Sequence, residues 1–296
     1  MTTPSAATPD AELHRLSRSC WVDLEVLHVV GYFAPEVTAA YVALGLHPRL
    51  SYFAARSAAF GPVGPEVTTA TFYVFAPWLA ARAVPAAWDL ASPAEVQAAR
   101  RAGVRTALTG LLGTPDVAEA LALTRRVCAG LRLPGRPLYA AHLGLAWPED
   151  DLTALWHAAV FADQGRGDGH VAVLQEAELD PVEALVLDGL YSSNTDFVRS
   201  TRGWTEEQWQ AGVDRLGGRG LINADGRFTQ AGRALRQHVE QRTDALSSAA
   251  WEQLGVDDAR RLHTLLGPLR RQVLAGGVLP DWFERRGSVS PDPGSA

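Results

Sequence analysis

Residues 161–175, FADQGRGDGHVAVLQ, alternate three glycines with an arginine, a carboxylate and an imidazole. Arg166 is suited to holding an anion, Asp168 to orienting a partner and His170 to carrying a proton. Connections between helices also use glycine, so a plain polar loop is the alternative. We predict the rim of a site here, with His170 and Asp168 catalytic and Arg166 binding substrate.

Sequence fingerprints of well-known sites are absent from this stretch. Its glycines do not follow a strand and no Gly-Lys-Ser/Thr comes after them, which argues against dinucleotide and P-loop sites. The chain has no Gly-x-Ser-x-Gly elbow of a serine hydrolase. His28, His157 and His170 lack the spacing of a metal motif. We therefore predict no metal site, and the identity of any cofactor stays open.

A second candidate group lies on the first long helical segment. Glu25, His28 and Tyr32 follow at i, i+3 and i+7, which places them on one helix face among valines and leucines. Buried polar groups need partners, and Arg56 is a possible counter-ion for Glu25. We predict His28 as a further catalytic residue, with Arg56 and Tyr32 binding substrate. The alternative is a buried ion pair beside a core histidine.

Two more substrate-binding candidates come from other segments. His157 lies on the helix that leads into residues 161–175, and Tyr73 belongs to an unusually aromatic region. That region is a hydrophobic core or the wall of a cavity for a ring-shaped ligand. Its aromatic residues are Tyr32, Phe33, Tyr52, Phe53, Phe60, Phe72, Tyr73, Phe75 and Trp78.

Composition excludes several classes of protein. The 296 residues carry a formal net charge of −6, and all 27 basic side chains are arginine, so general attraction to nucleic acid is not expected. Two cysteines without CxxC spacing give neither a disulfide framework nor a thiolate zinc site. No secretory signal and no membrane-spanning apolar run is visible. We expect a cytoplasmic protein.

The pattern of helices predicts a mainly α fold in two parts. Amphipathic helical periodicity dominates residues 10–179, with no βαβ alternation. Residues 180–245 read as helix, short helix, helix, tight wing at Asp225-Gly226, then helix, which is the order of a winged helix-turn-helix. Residues 246–285 are expected to form C-terminal helices packing on the core. Residues 1–9 and 286–296 have the composition of disordered ends.

Several helix ends have local signals. Ser92 and Glu95 have the spacing of a capping box. Thr114 with Pro115 marks the predicted start of another helix, and Pro77 is expected to kink or break a long helix that starts at Pro65.

The helix-turn-helix segment is poorly suited to DNA. The start of its third helix exposes Glu206, Glu207 and Asp214 where cationic or amide side chains would contact DNA. Residues 181–240 hold seven arginines against eight carboxylates, so the segment is not basic. We therefore treat DNA as a possible but disfavoured partner and expect a packing or dimer surface.

Two resemblances support this architecture. The block RLGGRGLINADGRFTQAGRAL resembles the wing of MarR-like regulators. The blocks YFAPE, YFAAR, GRPLYAAHLGLAWP, LWHAAVFADQGRGDGHVAVL, TRGWTEEQW and RGLINADGRFT resemble an actinobacterial family of helix-turn-helix, or SalK-like, proteins, over about residues 14–280. That resemblance implies the fold and no assigned activity or catalytic residues.

The leading hypothesis is a small-molecule-binding winged-helix protein with a pocket between its two parts. This hypothesis includes an enzyme that does acid/base chemistry on an anionic aromatic or apolar metabolite. The alternative is a MarR-like, ligand-responsive transcriptional regulator that binds DNA as a homodimer. A purely structural partner protein is the third interpretation.

Overall fold

The computed structural model describes residues 9–285, which form fifteen α-helices and a short 3₁₀ turn at Ala58–Phe60. The predicted disordered ends lie outside these residues, except for Pro9, which begins the first helix. The helices are α1 Pro9–Phe33, α2 Pro35–Ala43, α3 Ser51–Ser57, α4 Pro65–Thr71, α5 Pro77–Leu90, α6 Pro93–Leu112, α7 Ala118–Gly130, α8 Pro137–Leu143, α9 Asp151–Glu176, α10 Pro181–Ser192, α11 Thr195–Thr201, α12 Glu206–Gly218, α13 Gln230–Leu254, α14 Val256–Ala275 and α15 Trp282–Arg285.

The fold is mainly α, as predicted. In the part of the chain that is described, β pairing is limited to one antiparallel bridge between Ile222 and Phe228. Between them the chain reverses at Gly226, whose φ of 71° is a left-handed conformation that suits glycine. The expected two-strand wing is therefore reduced to a single bridge. Helices α10, α11 and α12 precede it in the predicted order.

Three hydrophobic clusters hold the helices together. The largest joins α1, α6, α7, α9 and α14, and a second lies under α10 and α12. A third, smaller cluster packs Phe53, Phe72 and Phe75 against α5, so much of the aromatic region is core. Two long helices cross between the larger clusters: α9 contributes Trp156 to one and Val173 to the other.

Helix α13 crosses in the same way. Its Val239 lies in the second cluster and its Trp251 in the first. The domain boundary expected at residues 245–246 falls inside this unbroken helix. Helices α9 and α13 each contribute residues to both larger clusters. The two-part division therefore remains a prediction.

Local signals placed some helix ends correctly. Ser92 and Glu95 form the predicted capping box of α6. Pro77 breaks the long helix expected from Pro65, because α4 ends at Thr71 and α5 begins at Pro77. The predicted start at Thr114 is wrong: α7 begins at Ala118, whose N–H donates to Asp116.

The glycines of residues 161–175 do not form a loop. They lie inside α9, which runs unbroken for 26 residues. A Cβ on Gly165 would lie 2.6 Å from Leu131, and one on Gly169 would lie 3.0 Å from an Arg136 nitrogen. These two glycines, one turn apart, therefore form a notch that receives side chains from the α7–α8 segment. The close approach of Leu131 and Arg136 accounts for these two glycines. A sequence pattern does not reveal such an approach.

Within residues 9–285 no single helix is long and apolar enough to cross a membrane. The bent pair of α1 and α2 passes that test by length and composition alone.

Candidate functional site

Arg166 lies in a network of ion pairs with two carboxylates of α13. Its Nη2 donates to Glu240 Oε2 at 2.9 Å and to Asp244 Oδ1 at 2.9 Å. Its guanidinium also stacks 4.1 Å from the Trp21 ring centroid. Arg18 and Arg236 add further bonds to Glu240. We call Arg18, Arg166, Arg236, Glu240 and Asp244 the ion-pair network.

The network stabilises charge inside the protein. Burial by itself would raise the pKa of Glu240, but Arg236, Arg166 and Arg18 outweigh burial and hold that pKa well below its usual range. Glu240 is thus ionised at neutral pH, and each buried cation of the network has a carboxylate within hydrogen-bonding distance. An arginine satisfied in this way has little to offer a substrate.

His170 faces the same helix, α13. Its Nδ1 lies 3.0 Å from Thr243 Oγ1, and that hydroxyl already donates to Val239 O at 2.7 Å. The hydroxyl must then accept from His170, which places the imidazole proton on Nδ1. Burial lowers the pKa of His170 to about 4, so the ring is neutral at pH 7. These contacts make it a structural group of the α9–α13 interface.

Asp168 points to the other side of α9. Its Oδ2 accepts the backbone N–H of Tyr139 at 3.0 Å, at the start of α8, and burial raises its pKa. Residues two apart on a helix lie about 200° apart around the axis. The expected convergence of Arg166, Asp168 and His170 is therefore wrong, because the stretch is a helix and not a loop.

Two other predicted residues also lie elsewhere. Tyr73 donates from its hydroxyl to Leu179 O at 2.7 Å, joining the α4–α5 connection to the α9–α10 connection. His157 packs 4.5 Å from the Phe161 ring centroid and 5.1 Å from that of Trp147, and burial lowers its pKa to about 4. Neither side chain contacts the ion-pair network.

The surface beside the network has little room. A cavity of about 20 Å³ lies among Arg18, Trp21, Arg166 and Trp251. A single water needs about 10–15 Å³ by this measure, so the cavity suits water rather than a metabolite. A groove of about 300 Å³ between α11 and α12 is larger, but Asp196 and Glu206 are among its walls.

Three predicted residues do meet, where the largest hydrophobic cluster adjoins the third. His28 and Tyr32 of α1 contact each other with ring centroids 4.9 Å apart. Arg56 of α3 lies over the Tyr32 ring at 5.9 Å and donates to Gln164 Oε1 at 2.9 Å. Gln164 and its neighbour Asp163 come from α9.

A histidine–carboxylate pair lies at the centre of this group. His28 Nε2 is 3.2 Å from Asp163 Oδ2. Burial lowers the pKa of His28. Burial alone would raise the pKa of Asp163, but His28 and Arg56 outweigh it and lower that pKa. A neutral His28 therefore donates from Nε2 to an ionised Asp163, which leaves a lone pair on the buried Nδ1. That nitrogen has no hydrogen-bond partner in the described chain.

Arg100 of α6 completes the group, and sequence reasoning missed it. It is 1% exposed, yet its Nε and Nη2 are buried without a hydrogen-bond partner among residues 9–285. Its guanidinium lies between the rings of Tyr32, 5.4 Å away, and Trp156, 5.1 Å away. We call His28, Tyr32, Arg56, Arg100, Asp163 and Gln164 the internal polar cluster.

More polar atoms around the cluster lack partners among the described residues. They are Tyr32 Oη, Tyr41 Oη, Arg56 Nε, Arg100 Nε, Arg100 Nη2, His142 Nε2 and His157 Nε2. Native proteins satisfy most buried polar atoms, so such a concentration calls for an explanation. Asp163 keeps 24% of its side-chain surface accessible, which leaves space beside this carboxylate.

One sequence signal did point to Arg100. On α6 the buried residues Val96, Arg100, Val104 and Ala107 follow at spacings of four, four and three, so an arginine occupies the apolar face of an amphipathic helix. Asp163 lies within residues 161–175 but was not predicted as a site residue. Its role depends on His28, 135 positions earlier in the sequence.

The chemistry of these groups is that of polar ligand binding and proton transfer. Guanidinium and phenol groups donate hydrogen bonds, and His28 Nδ1 can accept a proton. No group of three or more histidine, cysteine, aspartate or glutamate side chains suited to a metal occurs in the described range. His28, His157 and His170 in particular do not converge.

The chain was compared with known proteins. A family model described as the helix-turn-helix family matches residues 17–280. No curated protein and no solved structure matches the chain. The match covers most of the sequence and includes both the internal polar cluster and the α10–α12 segment. The chain therefore belongs to the helix-turn-helix family.

Proposed function

We propose that this protein binds a small molecule in the internal polar cluster. The observation that carries the proposal is Arg100, a 1% exposed cation whose Nε and Nη2 have no hydrogen-bond acceptor within the described residues. Removing an ion from water costs several kcal/mol, and contact with two aromatic faces offsets only part of that. A ligand that supplies acceptors would account for the remaining cost.

The composition of the surroundings favours the same interpretation. Small-molecule sites combine mostly apolar walls with a few convergent polar groups. Here the walls are aromatic: Arg56 lies 4.1 Å from the Phe72 ring and 5.5 Å from the Tyr52 ring, and Trp156 lies behind Arg100. The cluster lies where the largest and the third hydrophobic clusters adjoin. The pocket between two domains that the sequence suggested stays a prediction.

Acid/base chemistry on the ligand is the finer part of the proposal. We place the base at His28, oriented by Asp163, in the way that carboxylates orient catalytic imidazoles. This replaces the pairing of His170 with Asp168, whose side chains point to different sides of α9. Arg56 and Tyr32 keep the substrate-binding role assigned from sequence.

The test is to look for the ligand directly. Full-length protein is purified, and its mass is measured under native and denaturing conditions, followed by a thermal-shift screen of neutral, cationic and anionic metabolites. We expect either a co-purified molecule or a hit whose binding is weakened by Tyr32→Phe or His28→Gln. Equal masses together with no hit in any class would contradict the proposal.

A DNA-binding regulator is the second candidate function, and family membership favours it. We interpret α10, α11, α12 and the Ile222–Phe228 bridge as a winged helix-turn-helix, similar to the MarR-like wing. Against DNA binding stands the charge of α12, where Glu206, Glu207 and Asp214 are exposed. Nearby cations are partly engaged, since Arg199 bonds Glu206 and Arg215 bonds Asp180.

Gel-shift selection from a random DNA pool at low salt separates the two candidates. We expect no sequence-selective retardation by the wild type. Selective, salt-sensitive retardation would make the regulator the better description. The SalK-like and actinobacterial assignment, the homodimer and the cytoplasmic location remain predictions.

A further inference from the structure

Arg100 has one guanidinium edge without a hydrogen-bond partner in the described chain. Two other arginines of the molecule use the same edge to bind a carboxylate. A guanidinium presents Nε–H and Nη2–H side by side, a spacing that fits the two oxygens of a carboxylate. Arg261 uses this edge on Glu119, with Nε 2.8 Å from Oε1 and Nη2 bonded to Oε2. Arg166 uses the same two atoms on a single oxygen of Asp244, Oδ1. In Arg100 the unpartnered atoms are Nε and Nη2, the same edge.

The charges of the internal polar cluster do not balance. It contains two guanidiniums, those of Arg56 and Arg100, and one carboxylate, Asp163. Burial lowers the pKa of His28, and it lowers that of His142 to about 3 and that of His157 to about 4, so the surrounding imidazoles are neutral at pH 7. Within the six residues of the cluster, positive charges therefore outnumber negative charges by one.

The geometry points to a monoanionic carboxylate as the ligand, held by two hydrogen bonds on the Nε/Nη2 edge of Arg100. This inference rests on the proposed function and adds the chemical class of the ligand. One carboxylate neutralises the excess charge and satisfies both orphaned donors. A phosphate monoester brings nearly two negative charges and would leave an uncompensated anion in the same place.

The neighbouring phenols complete the recognition of an anion. The hydroxyls of Tyr32 and Tyr41 have no acceptor among the described residues, and the charge of Arg100 acts on both. The aromatic faces of Tyr52 and Trp156 leave the rest of the ligand an apolar environment. The ligand class is therefore a small organic acid with an apolar or aromatic body.

The experiment compares carboxylates with their own amides. Acetate, benzoate and phenylacetate are titrated against acetamide, benzamide and phenylacetamide at constant ionic strength, with inorganic phosphate as a further probe, and thermal unfolding of the full chain is recorded. We expect at least one carboxylate to raise Tm by about 3 °C at ten times its Kd, and its amide to leave Tm unchanged.

Two variants assign the effect to Arg100. Arg100→Met should abolish the carboxylate shift, and Arg100→Lys, which keeps the charge but loses the paired donors, should weaken binding about 10-fold or more. Arg261→Met is the matched control and should retain the shift, because its edge is already filled by Glu119 on the surface. If Arg100→Met does not fold, Arg100→Lys decides.

Three outcomes would overturn the inference. Equal shifts by amides and carboxylates would mean a ligand site without charge selection, which leaves the proposed function standing. A larger shift by phosphate would assign another class of anion. The third outcome is that no carboxylate has an effect up to about 100 mM, or that the effect persists in both Arg100 variants. Either result would mean that Arg100 does not bind a carboxylate.

Discussion

The ion-pair network and the internal polar cluster use the same residue types and adjoin on one helix, since Asp163 and Arg166 are three residues apart on α9. In the network, three arginines share Glu240 and Asp244. In the cluster, two arginines lie near one carboxylate, and Nε and Nη2 of Arg100 have no hydrogen-bond partner in the described chain. Both regions are partly buried, and they differ in how completely the hydrogen bonds of their arginines are made.

That difference separates structural from functional arginines better than residue type does. A satisfied buried ion pair is costly to break, because removal of one partner leaves the other charge uncompensated. An unsatisfied buried cation is costly to keep, and its replacement by an apolar side chain of similar size removes the cost. The simplest test is therefore to replace one arginine in each region and to compare the signs of the change in the free energy of unfolding.

Breaking the network should have the largest effect. Arg166→Met leaves Glu240 and Asp244 with fewer counter-ions inside the protein, and we expect a loss of about 3 kcal/mol in the free energy of unfolding. Urea unfolding measures it. The exposed Arg261→Met serves as control and should cost clearly less. A loss no greater than that of the control would show that the network is not structural.

Acid should destabilise the protein through its neutral histidines. The pKa of His157 is lowered by burial to about 4, whereas an unfolded histidine titrates near 6.5. Between these values the unfolded state binds the proton and the folded state does not, so stability is intact above pH 6.5 and is lost as pH falls towards 4. The expected loss for this group is about 3 kcal/mol.

His157→Phe removes the titrating group and should flatten part of this pH dependence, as measured by urea unfolding between pH 7 and pH 4. His170→Gln tests the histidine next to the ion-pair network by the same measurement, since the pKa of His170 is also about 4. His238→Gln, at an exposed position, is the substitution control. Unchanged profiles in both buried variants would contradict the assignment of neutral rings.

Relieving the cluster should stabilise the ligand-free protein. Arg100→Met removes an unpaired cation and keeps an unbranched side chain against Tyr32 and Trp156. We expect a gain of about 2 kcal/mol in the free energy of unfolding. A loss of similar size would mean that Arg100 has an internal partner, and the contrast between the two regions would disappear.

The glycines of α9 give the smallest expected effects. Gly167 is exposed and a Cβ there meets nothing within 4 Å, so Gly167→Ala should stabilise by up to about 1 kcal/mol. Gly165→Ala should destabilise instead, because its Cβ would lie 2.6 Å from Leu131. Thermal unfolding of both variants checks the signs. Equal effects would argue against a packed notch.

Sequence reasoning succeeded where short-range chemistry decides the outcome. The capping box of Ser92 with Glu95 and the break at Pro77 depend on neighbours within a few residues. The same reasoning failed for Gly165 and Gly169, since the reason for a small residue there comes from Leu131 and Arg136 across the fold.

The candidate site was predicted only in part for the same reason. His28, Tyr32 and Arg56 were chosen by type and helical phase, and those three meet. Arg100 and Asp163 were not chosen, because what distinguishes them is the state of their hydrogen bonds. A missing partner is a property of the folded chain and leaves no trace in the spacing of residues.

The enclosure of Arg100 sets a limit on rates. Arg100 and His28 are both 1% exposed, whereas Asp163 keeps 24% of its side-chain surface accessible. We therefore expect a ligand to enter beside Asp163 and to reach Arg100 only after neighbouring side chains move apart. Association would then level off at high concentration at the rate of that opening, and release would wait for the same event. Slow exchange of this kind allows a natural guest to survive chromatography, and binding assays need long equilibration before an apparent negative is accepted.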